Sequence, residues 1–185
     1  RLPRLMTVRV HADGLARCGW LNDDELYVSY HDNEWGTPLA GDQAMFERLS
    51  LEGFQAGLSW LTILKRREGF REAFHGFDLD RVSAMTEADV ERLLAFEGII
   101  RHRGKIEATI RNARLALELD GGLERFILDF KPADDRRGLT QSPESAALSK
   151  ALRKLGFAFV GPTTMHALME AVGLFDPHLA GCFRR

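Results

Sequence analysis

Apolar residues recur along this chain at the spacing of an α-helix. Ile106, Ile110, Ala113 and Leu117 advance by four, three and four residues, which places them on one side of a helix. Helix-start signals precede other apolar runs, at Asp42, Ser59, Thr86-Glu87-Ala88-Asp89, Ser142-Pro143 and Pro162. Strand signals are weak, because the short apolar run 157–160 has no clear pairing partner. The pattern therefore predicts an all-α domain.

One domain fits the length of the chain. Its 185 residues are enough to bury a substantial hydrophobic core. We expect residues 18–185 to form a single all-α domain and residues 1–17 to be a disordered lead-in. The polar segment 131–141 is the best candidate for a loop, and Gly156 is expected to follow the end of the helix that begins after Ser142.

The charge balance limits how the chain could bind a nucleic acid. Its formal net charge is −2, so binding through a generally basic surface is excluded, and any DNA contact must be a local basic patch. No apolar run approaches the length that spans a bilayer. We therefore expect a cytoplasmic protein with no membrane partner, and a monomer as the simplest state.

Two Cys/His pairs lie at opposite ends of the chain. Cys18 and His31 are separated by twelve residues, and His178 and Cys182 by three. Such mixed sulfur and imidazole ligands are typical of zinc sites, and four protein ligands would make the site structural. Spacing alone leaves two alternatives open: a Cys18–Cys182 disulfide, or unrelated thiols and surface histidines. Motifs of catalytic zinc sites are absent from the sequence.

Aromatic residues are concentrated in the segment 18–36. Two of the three tryptophans, Trp20 and Trp35, and both tyrosines, Tyr27 and Tyr30, fall there, and Trp60 follows nearby in sequence. Flat aromatic walls suit a base that has been flipped out of DNA, and a cationic base gains further from cation–π attraction. The alternative is that the rings fill the core, which is our assignment for Trp35.

Glu52 interrupts an apolar helix face. Met45, Leu49, Glu52 and Ala56 advance by four, three and four residues, so they share one side of a helix. A carboxylate on such a face is costly unless it is paired or functional. Function and an internal salt bridge, for example to Arg48 or Arg66, are both compatible with this pattern.

A basic segment joins a short apolar turn to the start of a helix. It contains Arg101, Arg103, Gly104 and Lys105, and a helix N-terminus next to a glycine is suited to phosphate binding. We expect this segment to contact DNA. A second basic run, residues 65–67 with Arg71, is expected to face solvent.

These residues together resemble the DNA-3-methyladenine glycosylase I family of the helix-hairpin-helix glycosylases. The matching blocks run in order from Cys18 to Cys182: CGW at 18–20, YHDNEWG at 30–36, LEGFQAGLSW at 51–60, GIIRHRGKI at 98–106, NAR at 112–114, LSKALRKLGFAFVG at 148–161 and DPHLAGC at 176–182. Glu25 stands where the family often has proline, and His166 where it often has an aromatic residue. The chain stops three residues after Cys182, earlier than many relatives.

The resemblance implies the sites as well as the fold. It implies that a structural zinc ties the termini together through Cys18, His31, His178 and Cys182. It implies a base pocket built from Trp20, Tyr27, Tyr30, Glu52 and Trp60. It places Gln55, Gly57 and Leu58 against the gap left by a flipped nucleotide, with Leu58 as the wedge. The hairpin at 98–106, with Arg101, Arg103, Gly104 and Lys105, would hold one DNA strand by its phosphates.

The expected activity is hydrolysis of the N-glycosidic bond of 3-methyladenine in alkylated double-stranded DNA, for base-excision repair. Glu52 is the expected catalytic residue, and Lys105 is interpreted as a backbone contact, so the enzyme would be monofunctional. Asp120 and Asp129 lie in the region of a catalytic aspartate of other helix-hairpin-helix glycosylases, but neither is our first choice. The rival hypotheses are a non-catalytic damage binder and a zinc-organised interaction module.

Overall fold

The computed structural model describes residues 7–185, and these fold mainly into helices. Ten α-helices follow one another along the chain: α1 (Glu25–Asn33), α2 (Asp42–Gln55), α3 (Trp60–Leu64), α4 (Arg67–Ala73), α5 (Leu79–Ser83), α6 (Glu87–Ala95), α7 (Arg103–Leu117), α8 (Gly122–Leu128), α9 (Pro143–Lys154) and α10 (Pro162–Ala171). A short 3-10 helix, His75–Phe77, lies between α4 and α5. No helix of the described part of the chain is long and apolar enough to cross a membrane.

A small antiparallel hairpin precedes the helices. Its strands are β1 (Val8–Val10) and β2 (Ala16–Cys18), with Val8 opposite Cys18 and Val10 opposite Ala16. The expectation of a disordered lead-in over residues 1–17 is therefore wrong for residues 7–17, while residues 1–6 lie outside the described residues. The buried Arg17 side chain holds this segment down, because its guanidinium binds Asp13 and Asp32 at 2.7 Å. The hairpin places Cys18 beside the C-terminal segment.

Helix α2 lies at the centre of the main core. Met45, Phe46, Leu49, Leu51 and Phe54 are each at most 1% exposed, and α2 packs against α3, α7, α8 and α10. Burial of such large apolar side chains is the main source of stability in a domain of this size. Because residues 48–54 of α2 are all buried, a polar side chain in this stretch faces either the core or an internal cavity.

Most of the predicted helix starts are confirmed. Ser59 caps α3, Thr86 and Asp89 form a capping box at α6, and Ser142 caps α9 ahead of Pro143. Asp42 is an exception, since Gly41 occupies the N-cap position of α2 and the Asp42 carboxylate instead accepts a hydrogen bond from the backbone N–H of Glu124.

The apolar run 157–160 is not a strand. Phe159 has a positive φ of 57°, which interrupts an extended backbone. The side chain of Asn112 takes the place of a pairing strand, because it donates to the carbonyl of Ala158 and accepts from the N–H of the same residue, each at 3.0 Å. The expected loop at 131–141 contains no helix or strand.

Helices α6 and α7 form a helix–hairpin–helix unit with the turn 96–102 between them. Gly98 in this turn touches Gly69 of α4, and a Cβ atom on Gly69 would lie only 2.2 Å from the carbonyl oxygen of Gly98. Glycine at both positions therefore allows the two backbones to meet. His102 caps α7 by accepting a hydrogen bond from the backbone N–H of Lys105.

Candidate active site and metal cluster

A cavity of about 780 Å³ opens between α1, α2, α3 and α10. The structure brings together in its lining all five residues that the sequence assigned to a base pocket: Trp20, Tyr27, Tyr30, Glu52 and Trp60. Trp20 follows β2, the tyrosines lie on α1, and Trp60 begins α3. The volume falls within the range of cavities that bind small organic ligands.

Aromatic rings form a continuous wall of this cavity. The ring centroids of Trp20 and Tyr27 are 5.0 Å apart, and those of Tyr30 and Trp60 are 5.5 Å apart. Trp35, which the sequence assigned to the core, is 9% exposed and also reaches the cavity. Its ring centroid lies 4.9 Å from that of Trp20, and the two rings meet edge to face. The indole N–H groups of Trp20 and Trp60 are buried and find no hydrogen-bond partner within residues 7–185. The wall thus has flat apolar faces and two free donors.

Glu52 is the buried acid of the cavity. It is 4% exposed, and within residues 7–185 it makes neither an ion pair nor a hydrogen bond. Burial raises the pKa of Glu52 to about 8, although the charge of Arg48 acts in the opposite direction. The salt-bridge alternative is not what the structure contains, because Arg48 donates to the Tyr30 hydroxyl and to Glu34.

Two ionisable residues of α10, His166 and Glu170, line the opposite side of the cavity. Sequence reasoning singled out His166 only as a departure from the family and overlooked Glu170. Burial, and next the charge of Glu52, raise the pKa of Glu170 to about 8. The sequence contains a signal that could have identified Glu170. This residue lies on an otherwise apolar run that includes Leu168, Met169 and Ala171, just as Glu52 interrupts an apolar face of α2.

The turn between α2 and α3 forms one rim of the cavity. Gln55 and Gly57 line it, and Leu58 projects from it with 38% of its side chain exposed. The amide of Gln55 donates to the carbonyl of Leu58 at 3.0 Å, and Gly57 has a positive φ of 82° that lets the chain turn. The turn therefore presents an exposed apolar side chain at the mouth of the cavity.

The predicted basic segment has fewer unpaired basic side chains for a DNA contact than its charge indicates. Arg101 is exposed and, among the described residues, has no ion-pair partner, and the backbone of Gly104 is partly exposed. Arg103 instead binds three carboxylates, those of Glu87, Glu91 and Glu107.

Lys105 also departs from the expectation of a DNA contact. Its side chain is 8% exposed, and its ammonium donates to the carbonyl oxygens of Phe54 and Ala56, each at 2.8 Å. Burial lowers the pKa of Lys105. The ammonium of Lys105 therefore binds carbonyl oxygens at the C-terminal end of α2 and is not exposed at the surface. The second basic run is ion-paired as well, through Lys65, Arg67 and Arg71.

A separate cluster joins the two ends of the described chain. One ligand atom each of Cys18, His31 and Cys182 lies within 4.8 Å of the others, and all three residues are buried. Both cysteines are free thiols, so the disulfide alternative is not what the structure contains. The ring centroid of His178 is 5.1 Å from that of His31, and the Nε2 of His178 is buried with no hydrogen-bond partner in the described part of the chain.

Carboxylates orient both histidines of this cluster. Asp32 lies 2.8 Å from Nδ1 of His31, and Asp176 lies 2.9 Å from Nδ1 of His178. The Nε2 atoms are thus the free ligand positions, and that of His31 lies 3.6 Å from the sulfur of Cys182. Burial lowers the pKa of His31 to about 4 and raises that of Cys18 to about 12. Two thiols and two carboxylate-oriented imidazoles are compatible with a metal site.

Fold and cavity together define a class of protein: a helical domain with an aromatic, acid-containing pocket beside a helix–hairpin–helix unit. A family model described as methyladenine glycosylase matches residues 20–185. The chain belongs to this family, as the sequence resemblance predicted. It is similar to the DNA-3-methyladenine glycosylase 1 of Escherichia coli (strain K12), with 48% identity over 91% of this chain and 96% of that protein.

Three further comparisons agree. The DNA-3-methyladenine glycosylase of Haemophilus influenzae (strain ATCC 51907 / DSM 11121 / KW20 / Rd) is 44% identical over 90% of this chain and 96% of its own length. A crystal structure of 3-methyladenine DNA glycosylase I superposes with a TM-score of 0.86 at 48% identity, covering 90% of this chain and 98% of that chain. One from Staphylococcus aureus, described as showing 3-methyladenine recognition, has a TM-score of 0.83 at 37% identity, covering 88% and 93%.

Proposed function

We propose that this protein is a monofunctional DNA glycosylase that hydrolyses the N-glycosidic bond of 3-methyladenine in alkylated double-stranded DNA. The observation that carries the proposal is the buried, unpaired carboxylate of Glu52 in an aromatic cavity. In a chain of the methyladenine glycosylase family, a carboxylate that the protein itself leaves without a partner is the natural acceptor for the base. A cytoplasmic location and a monomeric state stay predictions from the sequence.

The pocket recognises the base by stacking and by one carboxylate. Trp60 and Tyr30, which contact each other, form one wall for the base, and Trp20 and Tyr27 complete the wall. Glu52 accepts hydrogen bonds from the N–H groups on the adenine edge. Its charge attracts a ring that methylation at N3 has made cationic, and this attraction favours the ionised carboxylate although its pKa in the free pocket is about 8.

Little acid catalysis is needed for this reaction. The cationic base is already a good leaving group, so the C1′–N9 bond breaks with its electron pair passing to the base. Water then adds to C1′ and releases a proton to solvent. The protein contributes by extruding the base, orienting it and stabilising positive charge near the sugar. Lys105 supplies no amine nucleophile, because its ammonium is bound by two carbonyl oxygens.

The turn 55–58 and the helix–hairpin–helix unit form the proposed DNA surface. Leu58, exposed at the mouth of the cavity, fills the gap left by the extruded nucleotide. Backbone N–H groups at the start of α7, with Gly104 and Arg101, bind a phosphate of one strand. Arg103 contributes less than the sequence suggested, since three carboxylates already compensate its charge.

We also propose that the cluster at the chain ends holds one structural zinc ion, with Cys18, His31, His178 and Cys182 as its ligands. The ligand atoms of Cys18, His31 and Cys182 already lie close together. His178 lies next to His31, and its buried Nε2, which has no hydrogen-bond partner within residues 7–185, would complete a tetrahedral site with no open position. When bound, zinc supplies cross-linking of the two ends of the domain. It takes no part in the chemical step.

The test is base release from alkylated duplex DNA under single-turnover conditions, analysed by chromatography. Wild type should release 3-methyladenine, and Glu52→Gln should lower the rate by about 100-fold or more. Glu118→Gln, which removes the same charge from an exposed position outside the cavity, is the matched control and should retain the wild-type rate.

The outcomes separate the parts of the proposal. Release that Glu52→Gln does not slow would retain the activity and discard the role of Glu52. A well-folded wild type that binds alkylated DNA without releasing any base would replace the glycosylase by a damage-binding protein. A covalent adduct with abasic DNA, trapped by borohydride through Lys105, would contradict the monofunctional mechanism.

A further inference from the structure

The cavity contains a second carboxylate that the proposed reaction does not use. Glu170 lies on α10 and lines the same cavity as Glu52 on α2, and the two helices pack directly against each other. The side chain of Glu170 is 22% exposed. Within residues 7–185 its one basic neighbour is His166, whose Nε2 lies 3.9 Å from Oε1, a distance too long for a hydrogen bond.

His166 does not neutralise this carboxylate. Its ring is 1% exposed, and burial lowers its pKa, so the imidazole is neutral near physiological pH. Its Nδ1 lies 3.4 Å from the hydroxyl of Ser142, whereas its Nε2 is buried and has no hydrogen-bond partner among residues 7–185. The negative charge of an ionised Glu170 is therefore left without a compensating cation on its own helix.

Glu52 and Glu170 oppose each other's ionisation. Burial and the charge of Glu52 raise the pKa of Glu170, and repulsion between two like charges acts on both partners. The charged and titratable groups that face the pair are Arg48 on α2, Tyr27 and Tyr30 on α1, and His166 on α10. Arg48 is already engaged by Glu34 and Tyr30. A cationic ligand in the cavity would relieve the repulsion.

We propose that Glu170 is a specificity-determining residue of the base pocket, which together with Glu52 selects a purine that carries a positive charge over a neutral purine. The inference rests on the proposed function, because methylation at N3 is what gives the base in DNA its charge. When the C1′–N9 bond breaks, the base becomes neutral. The two carboxylates therefore attract the substrate base more strongly than the released product.

The experiment compares a cationic and a neutral form of the same ring. The 3,9-dimethyladeninium ion is permanently charged and has no sugar bond to break, whereas free 3-methyladenine is neutral. Binding of each is followed by tryptophan fluorescence. In wild type the cation should bind more tightly than the neutral base. Glu170→Gln should weaken binding of the cation by about tenfold and leave the neutral base within about twofold.

Two further variants control for changes of shape and of net charge. Glu170→Asp keeps the charge and should retain the preference for the cation. Glu118→Gln removes an equal charge from the exposed end of α7 and should bind both ligands like wild type. Equal weakening of both ligands by Glu170→Gln, or weakening of neither, would overturn the proposal.

The pH dependence of base release gives a second readout. Activity rises with pH as Glu52 ionises, and removal of the neighbouring charge lowers the pKa of Glu52. Glu170→Gln should therefore move the acid limb of the profile to lower pH by about one unit. Where the free bases bind too weakly to titrate, an unmoved acid limb overturns the proposal. Wild type that releases no base would instead contradict the proposed function, so the two failures are distinguishable.

Discussion

The Cys/His cluster at the chain ends and the aromatic cavity differ in how their buried polar groups are paired. In the cluster, each histidine is held by a carboxylate on its Nδ1 atom, and Arg17 in turn fixes Asp32. In the cavity, among the described residues, Glu52 has no hydrogen-bond or ion-pair partner and the indole N–H groups of Trp20 and Trp60 are unpaired. In the cluster, hydrogen bonds fix the Nδ1 side of both imidazoles and leave the Nε2 of His178 unpaired, whereas in the cavity the acid itself is unpaired.

The difference separates residues that stabilise the fold from residues that act on a ligand. A buried carboxylate without a partner destabilises the folded state, because desolvation is not offset by hydrogen bonds. Oriented thiol and imidazole ligands stabilise it once a metal is bound. Substitutions in the cluster should therefore reduce stability, whereas substitution of the unpaired acid should reduce activity and increase stability.

The largest effect on stability is expected from loss of a sulfur ligand. Cys182→Ser should lower the free energy of unfolding by about 3 kcal/mol or more, since the binding energy of a structural zinc is part of the folding energy. Urea denaturation, with and without a chelator, measures this effect. The chelator should destabilise wild type and have little effect on the variant, and an unchanged wild-type transition would contradict a structural metal.

Glu52→Gln is expected to raise the free energy of unfolding rather than lower it. The folded-state pKa of Glu52 is raised from 4.5 to about 8, so the folded protein becomes less stable as pH rises through this interval. The neutral amide avoids that loss. The variant should be more stable than wild type by about 1–3 kcal/mol above pH 8, with a small difference near pH 5. Thermal unfolding at the two pH values tests this, and a less stable variant at high pH would break the comparison.

An intermediate effect, on metal affinity, is expected from substitution of Asp32, the carboxylate that orients His31. Asp32→Asn should weaken metal binding by about 10- to 100-fold while leaving the four ligands in place. Competition with a chromophoric chelator gives the affinity. Asp23→Asn is the matched control, because Asp23 binds Arg9 and His11 away from the cluster. Equal affinities for the Asp32 and Asp23 variants would show that the orienting network is unimportant.

The smallest effect, on the rate of base release, is expected from substitution of Leu58 at the rim of the cavity. Leu58 is partly exposed and packs little, so Leu58→Ala should leave the unfolding temperature nearly unchanged. Base release should slow by about threefold to tenfold, because the gap left by the extruded nucleotide is filled less well. Single-turnover kinetics and thermal unfolding on the same sample check both statements. A variant with wild-type kinetics would remove Leu58 from the proposed wedge role.

Local signals predicted the helices and one key residue of the cavity. The capping residues Ser59, Thr86 and Ser142 act through backbone atoms two or three positions away, so their effect can be read from adjacent sequence. Glu52 was visible for a related reason, since a charge on an apolar helix face breaks a local pattern. Glu170 carries the same signature on α10, and only its position opposite Glu52 shows that it belongs to the cavity.

Sequence by itself determined the helical class of this protein, its family and the candidate ligand and pocket residues, because these depend on periodicity, capping and ordered motifs. Tertiary structure alone decided which charges remain free. The ammonium of Lys105 is bound by carbonyls about fifty positions earlier in the chain, and Arg103 by carboxylates of the preceding helix. Arg101, in contrast, is exposed, and Glu52 has no partner in the part of the chain that the structure describes. Whether a charged group is free to bind a ligand depends on neighbours that only folding brings near it. These neighbours cannot be identified from the pattern of charges along the sequence.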